Sequence, residues 1–197
     1  VEVRNKINTF GANALSIETK GRPFTDQDLK LIRETIYQVK YITPNLKKGN
    51  AITRYGSEKM RADTFGVSTD YFRIREKHLD MGRFFTDYEV MSNAKVAVIG
   101  KTIHEKLFRE GTSLGETIMV ENLPLMVIGI LEETGESLGG GDFDNIVLLP
   151  YSTAEKRLTP TSGFNSVEIA AFNEKGVEDV KEGMLAYMRK KNQIVEG

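Results

Sequence analysis

Five stretches of this 197-residue chain carry residue types that could do chemistry. Gly100–Lys101–Thr102 follows the apolar run Lys95–Ile99, as at the end of a phosphate-binding loop. That loop needs another glycine five residues earlier, so that backbone amides can wrap the phosphates. Lys95 stands there, and the run goes straight into Gly100, which excludes nucleotide binding here. Gly111–Thr112–Ser113–Leu114–Gly115 has the letters of a nucleophile elbow. The elbow requires a strand before it, a helix after it and a downstream histidine. The order expected here is helix then strand, and His78 and His104 both lie upstream. His104–Glu105 begins like a zinc-protease helix, but Phe108 takes the second histidine's place. Asp142 and Asp144 follow the triplet Gly139–Gly140–Gly141, yet the twelve-residue calcium-loop pattern is missing. These carboxylates read as part of a polar, flexible loop. Finally, Arg73, Arg75 and Lys77 alternate beside Tyr71 and Phe72, a pattern that could bind single-stranded nucleic acid. Glu76 and Asp80 interrupt it, so a solvated strand face is expected instead.

Composition supports that exclusion. There are 27 basic and 28 acidic residues, for a net charge of −1, which gives no global attraction to nucleic acid or an anionic surface. Hydrophobic residues make up 40% and charged residues 28%, the balance of a globular chain. The chain has no cysteine, which excludes disulfides, thiolate metal sites and cysteine nucleophiles, and fits an oxidising compartment. No apolar run approaches the roughly 18–20 residues that a membrane helix needs. Val1–Phe10 lacks the apolar centre of a signal peptide, so the sequence reads as a piece excised from a longer protein.

The elements that would position these residues follow from periodicity. Val3, Ile7 and Phe10 suggest a short N-terminal helix, either a frayed end or the tip of a stalk. Ala14–Thr19 alternates as a strand. Thr25 and Asp28 form a capping box that opens a surface helix from Asp26 to about Gln38. Ile42–Tyr55 contains Pro44 and Gly49, so it is expected as an irregular edge strand, in a hairpin with Met60–Val67. The aromatic residues Tyr71, Phe72, Phe84 and Phe85 are expected to pack in a core. Thr86, Asp87 and Glu89 read as a short polar or helical bridge. Lys95–Ile99 is a strand buried on both faces, then a helix capped by Thr102 and Glu105. Thr117–Glu121 and Leu125–Leu131 form a hairpin turning at Asn122–Leu123–Pro124. Glu132–Asn145 is a flexible loop and Ile146–Leu149 a short strand. Ser152 and Glu155 cap a further helix, Ser166–Phe172 is a strand, and Val177, Val180, Met184 and Met188 line a final helix. The fold class expected is α+β. A β-α-β-β unit at Ala14–Val67 and a returning α-β-α at Tyr151–Gln193 flank a mostly β unit at about Asp70–Pro150.

The chain resembles the periplasmic core domain of MacB-type ABC transporter permeases, a family that includes FtsX-like relatives. The resemblance is carried by Gly11 and Asn13, Phe65–Gly66–Val67, Asp70–Tyr71–Phe72, Leu79, Gly82–Arg83–Phe84–Phe85 and Val96–Ala97–Val98–Ile99–Gly100. It continues through Leu107–Phe108, Leu114–Gly115, Val127–Ile128–Gly129, Gly139–Gly141 and Pro150. Single pieces are weak, and their order along most of the chain is specific. Leu123 departs from the family, which has a glycine in that hairpin turn. The resemblance implies a porter-like α/β subdomain (residues 1–69 with 151–197) and an inserted, mostly β subdomain (70–150). It implies an extracytoplasmic, non-catalytic domain of an inner-membrane permease, which relays ATP-driven motion to the periplasm. Implied partners are a membrane-fusion-type periplasmic adaptor, the transporter's ATPase domain or subunit, and a second permease copy as homodimer or related permease. No nucleic acid is implied. No cofactor is implied for this domain, ATP and Mg belonging to the parent's nucleotide-binding domain. The candidate partner-contact surface is Tyr71, Phe72, Gly139, Gly140, Gly141, Asp142 and Phe143. Two other readings are a lipoprotein-binding module, served by an exposed apolar surface at Tyr71, Phe72 or Phe143, and a small enzyme with its site between the subdomains.

Overall fold

The computed structural model describes residues 5–135 and 139–193. Strands β1 (Lys6–Phe10) and β2 (Ala14–Glu18) form an antiparallel pair around Gly11. Helix α1 (Asp26–Thr35) follows. Its capping box is present: the Thr25 hydroxyl accepts from the Asp28 amide, and the Asp28 carboxylate accepts from the Thr25 amide at 2.8 Å. The same carboxylate accepts from Lys191 at 2.5 Å and from the Tyr187 hydroxyl. Burial alone would raise the Asp28 pKa, and these bonds outweigh it and lower it. One aspartate thus starts a helix and ties it to the last helix of the chain.

Strand β3 (Val39–Tyr55) turns at Gly56 into β4 (Glu58–Val67). Next come α2 (Asp70–Ile74), β5 (Leu79–Gly82), α3 (Asp87–Met91), β6 (Val96–Ile99) and α4 (Lys101–Phe108). Strands β7 (Thr117–Val120), β8 (Leu123–Leu131) and β9 (Ile146–Pro150) follow, then α5 (Tyr151–Arg157), β10 (Ser166–Ala171) and α6 (Gly176–Gln193). The strands join in one mixed sheet of order β1-β2-β10-β3-β4-β9-β6-β8-β5, with β7 paired to β3 and β8.

Packing on this sheet changes along its length. At the β1 end, α1 and α6 bring Ile32, Ile36, Val180, Met184 and Met188 against Leu15, Ile17, Ile42, Val167 and Ile169. At the other end both faces are covered. Ala97, Ile99, Val147 and Leu149 pack under Ile103 and Leu107 of α4, while Val96, Val98, Ile146 and Leu148 pack with Tyr71, Phe72 and Val90 of α2 and α3. Double coverage is why β6 and β9 read as continuous apolar runs rather than alternating ones. Gly66 lets α5 sit close on β4, because a Cβ there would lie 2.4 Å from Ala154 Cβ.

Several expectations are corrected. Residues 6–10, expected in a helix, form β1, because the free edge of β2 offers them a hydrogen-bonded partner; residues 1–4 lie outside the described residues. Strand β3 is interior: β10 flanks Val39–Pro44 and β4 flanks Asn45–Tyr55. Pro44 is tolerated where the β10 ladder ends. Tyr71–Arg75 is helix and its C-cap, not a strand. Helix α4 starts two residues earlier than expected, with Gly100 as N-cap and Thr102 bonded to Asp142 instead. Ser152 donates to the Val90 carbonyl, and Glu155 accepts from the Gly163 amide. Leu123 begins β8 and is buried, so the hairpin turns at Glu121–Asn122, with Glu121 at φ 53°.

The bridge before α3 is a second capping box, Thr86 with Glu89. Glu89 also takes both terminal nitrogens of Arg83, at 2.9 and 2.8 Å. The Arg83 hydrogen bond, helped by the Thr86 amide, holds the Glu89 carboxyl down to about 2. A depressed carboxylate adds stability above its unfolded pKa, near 4.3, and loses it as pH falls toward the folded value. The melting-temperature gap between the native chain and Glu89→Gln is therefore expected to be full at pH 7 and to close between about pH 4.5 and pH 2. A gap that stays constant over that window would show that Arg83 does not hold Glu89 in solution.

Candidate functional site

The candidate site is built around α2. Asp70, buried at its start, accepts from Arg33 of α1 at 2.5 Å, from the Ile42 amide at 3.2 Å and from Arg73 at 3.3 Å. These bonds pin α2 across β3. Because the segment is helical, Tyr71, Phe72 and Ile74 point inward and the two arginines diverge. Arg73 lies near the Tyr41 ring. Arg75 makes a two-pronged ion pair with Glu168 of β10, at 2.9 and 2.5 Å, and its guanidinium stacks 4.0 Å from the centre of the Phe10 ring. Glu168 is 1% exposed and also accepts from Asn45 Nδ2 at 2.9 Å.

Lys77 follows and is half-buried. Burial lowers its pKa against the pull of Asp144 and with the push of Arg75. Opposite it runs the segment after β8, of which residues 136–138 lie outside the described residues. Asp144 is buried and accepts from the Thr134 and Gly135 amides, each at 2.8 Å. Asp142 accepts from the Asp144 amide and the Thr102 hydroxyl, each at 2.8 Å. Both carboxylates therefore serve as clips that shape the loop. Phe143 projects between them, 50% exposed.

The structure separates the residues expected to form a contact surface. Tyr71, Asp142 and Phe143 line one cleft of about 380 Å³, together with Arg75 and Lys77. Gly139, Gly140 and Gly141 are exposed in the adjoining loop. Tyr71 and Phe72 are 5% and 4% exposed, so the expected core packing holds and an exposed aromatic pair does not. Phe72 stacks on Phe84 at 4.0 Å between ring centres, and the helical turn of α2 is what carries it inward.

The remaining sequence motifs find structural roles. Asp144 backbone fills the space above Gly100, where a Cβ would lie 2.0 Å from the Asp144 carbonyl oxygen, so no phosphate fits there. Lys101 pairs with Asp80 at 2.9 Å. Ser113 and His104 do come together, Oγ to Nδ1 at 2.8 Å. Ser113 is 0% exposed, which keeps a substrate carbonyl from reaching it, and the bond joins α4 to the loop before β7. Sequence reasoning missed Glu168, Asn45 and Lys77 as members of the cleft region. Glu168 left one signal: a lone acid among apolar residues in Ser166–Ala171. Among the described residues, no helix is long and apolar enough to cross a membrane.

A profile of the MacB-like periplasmic core domain matches residues 2–187. The macrolide export ATP-binding/permease protein MacB of Wolinella succinogenes is 30% identical over 177 residues, 85% of this chain and 27% of that protein. The pyoverdine export ATP-binding/permease protein PvdT of Pseudomonas aeruginosa is 36% identical over 147 residues, 75% of this chain and 22% of that protein. The chain thus spans about a quarter of the length of these relatives. Among solved structures, the periplasmic region of MacB from Actinobacillus actinomycetemcomitans superposes with a TM-score of 0.72 at 22% identity, over 92% of this chain and 86% of that one. The extracellular domain of the ABC-type transporter YknZ gives 0.69 at 22% identity, over 80% and 78%. The fold and the match over nearly the whole length agree, and the chain belongs to the family of MacB-like periplasmic core domains.

Proposed function

We propose that this chain is the extracytoplasmic domain of an ABC export permease, relaying ATP-driven motion from the membrane to a membrane-fusion-type periplasmic adaptor. The observation that supports this most is the family match over residues 2–187, in a chain spanning about a quarter of its export-permease relatives. In this reading the domain itself is non-catalytic. ATP and Mg act in the nucleotide-binding domain of an inner-membrane parent that works as a homodimer or with a related permease. The porter-like part (residues 1–69 with 151–197) and the inserted part (70–150) are joined by the β4–β9 and β3–β7 ladders and tied further by Arg75–Glu168 and Arg33–Asp70. Phe143, Asp142 and the glycines Gly139–Gly141 form the contact surface, with Tyr71 at its buried edge.

The test places a photo-crosslinking amino acid at position 143 of the full-length permease in membranes. The expected result is an adduct with the adaptor whose yield changes when ATP is hydrolysed. No adduct, together with normal export by a Phe143→Asp permease, would refute the surface. The half-exposed Phe143 ring also favours a second reading, a lipoprotein-binding module. An adduct with an acylated protein in place of the adaptor would select it.

A further inference from the structure

Helices α1 and α6 cover the β1 end of the sheet and leave a groove of about 590 Å³ between them. Two contacts close its floor. At one end Asp28 takes Lys191 at 2.5 Å and the Tyr187 hydroxyl. At the other end Ile36 meets Gly183, where a Cβ would lie 3.0 Å from Ile36 Cδ1. Leu31 lines the α1 side, and Gly183, Ala186 and Lys190 line the α6 side. These three follow at helical steps of three and four, so they share one face of α6. We infer that this groove binds a single medium-chain fatty acid, its carboxylate at Arg22 and Lys190 and its hydrocarbon chain along Leu31, Ile36, Gly183 and Ala186, whether or not the domain serves an exporter.

Charge fixes which end takes the head group. The charged residues lining the groove are Arg22, Asp28, Lys190 and Lys191. Asp28 and Lys191 form an ion pair at 2.5 Å and cancel. Arg22 and Lys190 are exposed and make no ion pair among the described residues, so both positive charges stand with no lining acid against them. The fold brings the two together. The Arg22 amide donates to Asn192 Oδ1 at 3.3 Å, and a Cβ at Gly21 would lie 2.6 Å from that oxygen, so the turn before α1 lies against the end of α6. The other acids of the two helices act elsewhere. Asp26 accepts from the Tyr151 hydroxyl at 2.7 Å, and Glu178 pairs with Lys181 at 3.0 Å. Glu34 and Glu182 do not line the groove, and Asp179 precedes Lys190 by three helical turns, about 16 Å along the axis. A carboxylate at the Arg22 end gains charge-assisted hydrogen bonds from a guanidinium and an ammonium.

Size and polarity choose the rest of the ligand. About 590 Å³ is the volume of a small-molecule site. From Gly183 to Lys190 the floor runs about 10 Å, a length that one hydrocarbon chain spans. The methylene stem of Lys190 extends the apolar wall up to its charged tip. A docked partner helix would bring a row of apolar side chains, and Leu31, at 37%, is the one large hydrophobic lining residue exposed to receive them among the described residues.

The test uses the 197-residue chain and dansyl-labelled undecanoic acid, whose emission rises in an apolar site. Saturable binding is expected, with decanoate displacing the probe at about tenfold lower concentration than 1-decanol, which lacks the charge. The double variant Arg22→Gln, Lys190→Gln should lose that preference and keep the native melting temperature. Ala186→Phe, at an exposed position, fills the groove from its wall and should weaken probe binding about tenfold or more. Thr35→Phe blocks the same groove from the exposed side of α1 and replaces it if Ala186→Phe does not fold. Lys30→Gln removes an exposed cation of α1 outside the groove and should bind like the native chain. Absence of saturable binding, equal displacement by decanoate and 1-decanol, a charge preference that survives the double variant, or full affinity in a folded groove-filling variant would each overturn the assignment. So would displacement by lysophosphatidylglycerol or by an acidic amphipathic helical peptide but not by decanoate.

Discussion

Arg75→Ala is expected to destabilise the fold by about 3–5 kcal/mol, because it strands a buried carboxylate. Glu168 is 1% exposed, and after the substitution its remaining partner is the Asn45 amide. The reverse change is milder. Glu168→Ala leaves Arg75, whose side chain is 36% exposed and still stacked on Phe10, free to find water. That variant is expected to lose about 1–2 kcal/mol. The double substitution should therefore be more stable than Arg75→Ala alone, since it removes the stranded charge. Urea midpoints of the four proteins check this. Additive losses, with the double variant the least stable, would show that Glu168 finds other solvation when Arg75 is gone. The pair spans 93 positions and joins α2 to β10, so its loss should also loosen the junction between the proposed subdomains. Faster amide exchange in both α2 and β10 is the expected signature.

That pair marks the limit of what the residues disclosed by themselves. Local patterns were read correctly where the partner lay nearby in sequence. The Thr25–Asp28 capping box and the hairpin around Gly56 emerged as expected, and the apolar runs expected at Lys95–Ile99 and Ile146–Leu149 form strands within one residue of those bounds. The errors came where distant chain decided the outcome. Residues 6–10 have one weak helical stripe, and pairing with β2 outweighs it. Arg73 and Arg75 alternate as in a strand, but Asp70 is anchored by Arg33 and the Ile42 amide, and the chain coils there instead. Thr102 and Ser152 look like caps, yet each finds a tertiary partner, Asp142 and the Val90 carbonyl. The candidate surface was legible in part for the same reason. Asp142 and Phe143 are neighbours in sequence and stay together. Their opposite wall, from Asn45, Phe65, Arg75 and Lys77, is assembled by the sheet and α2.

Phe72→Ala is expected to cost about 3–5 kcal/mol as well, by a different mechanism. The ring is 4% exposed and stacks on Phe84 at 4.0 Å and meets Phe85 edge-on at 5.1 Å. Removing it opens a cavity among Val67, Val90 and Leu148, residues fixed by strands and by α3 that can close only partly. Phe72→Leu refills most of the space and should lose about a third as much. Phe143→Ala, at a ring that is half in water, should change stability by no more than about 0.5 kcal/mol. Thermal and urea unfolding distinguish these cases, and an unchanged midpoint for Phe72→Ala would mean that the ring is exposed in solution. The contrast bears on function because Phe143 belongs to the proposed contact surface and Phe72 to the core that carries Tyr71. Phe72→Ala is expected to lower export by the full-length permease through loss of the fold, whereas Phe143→Ala should lower it by losing contact area while leaving the fold intact. Stability and export falling together in one variant, and export alone in the other, is the result that separates the scaffold of this site from its surface.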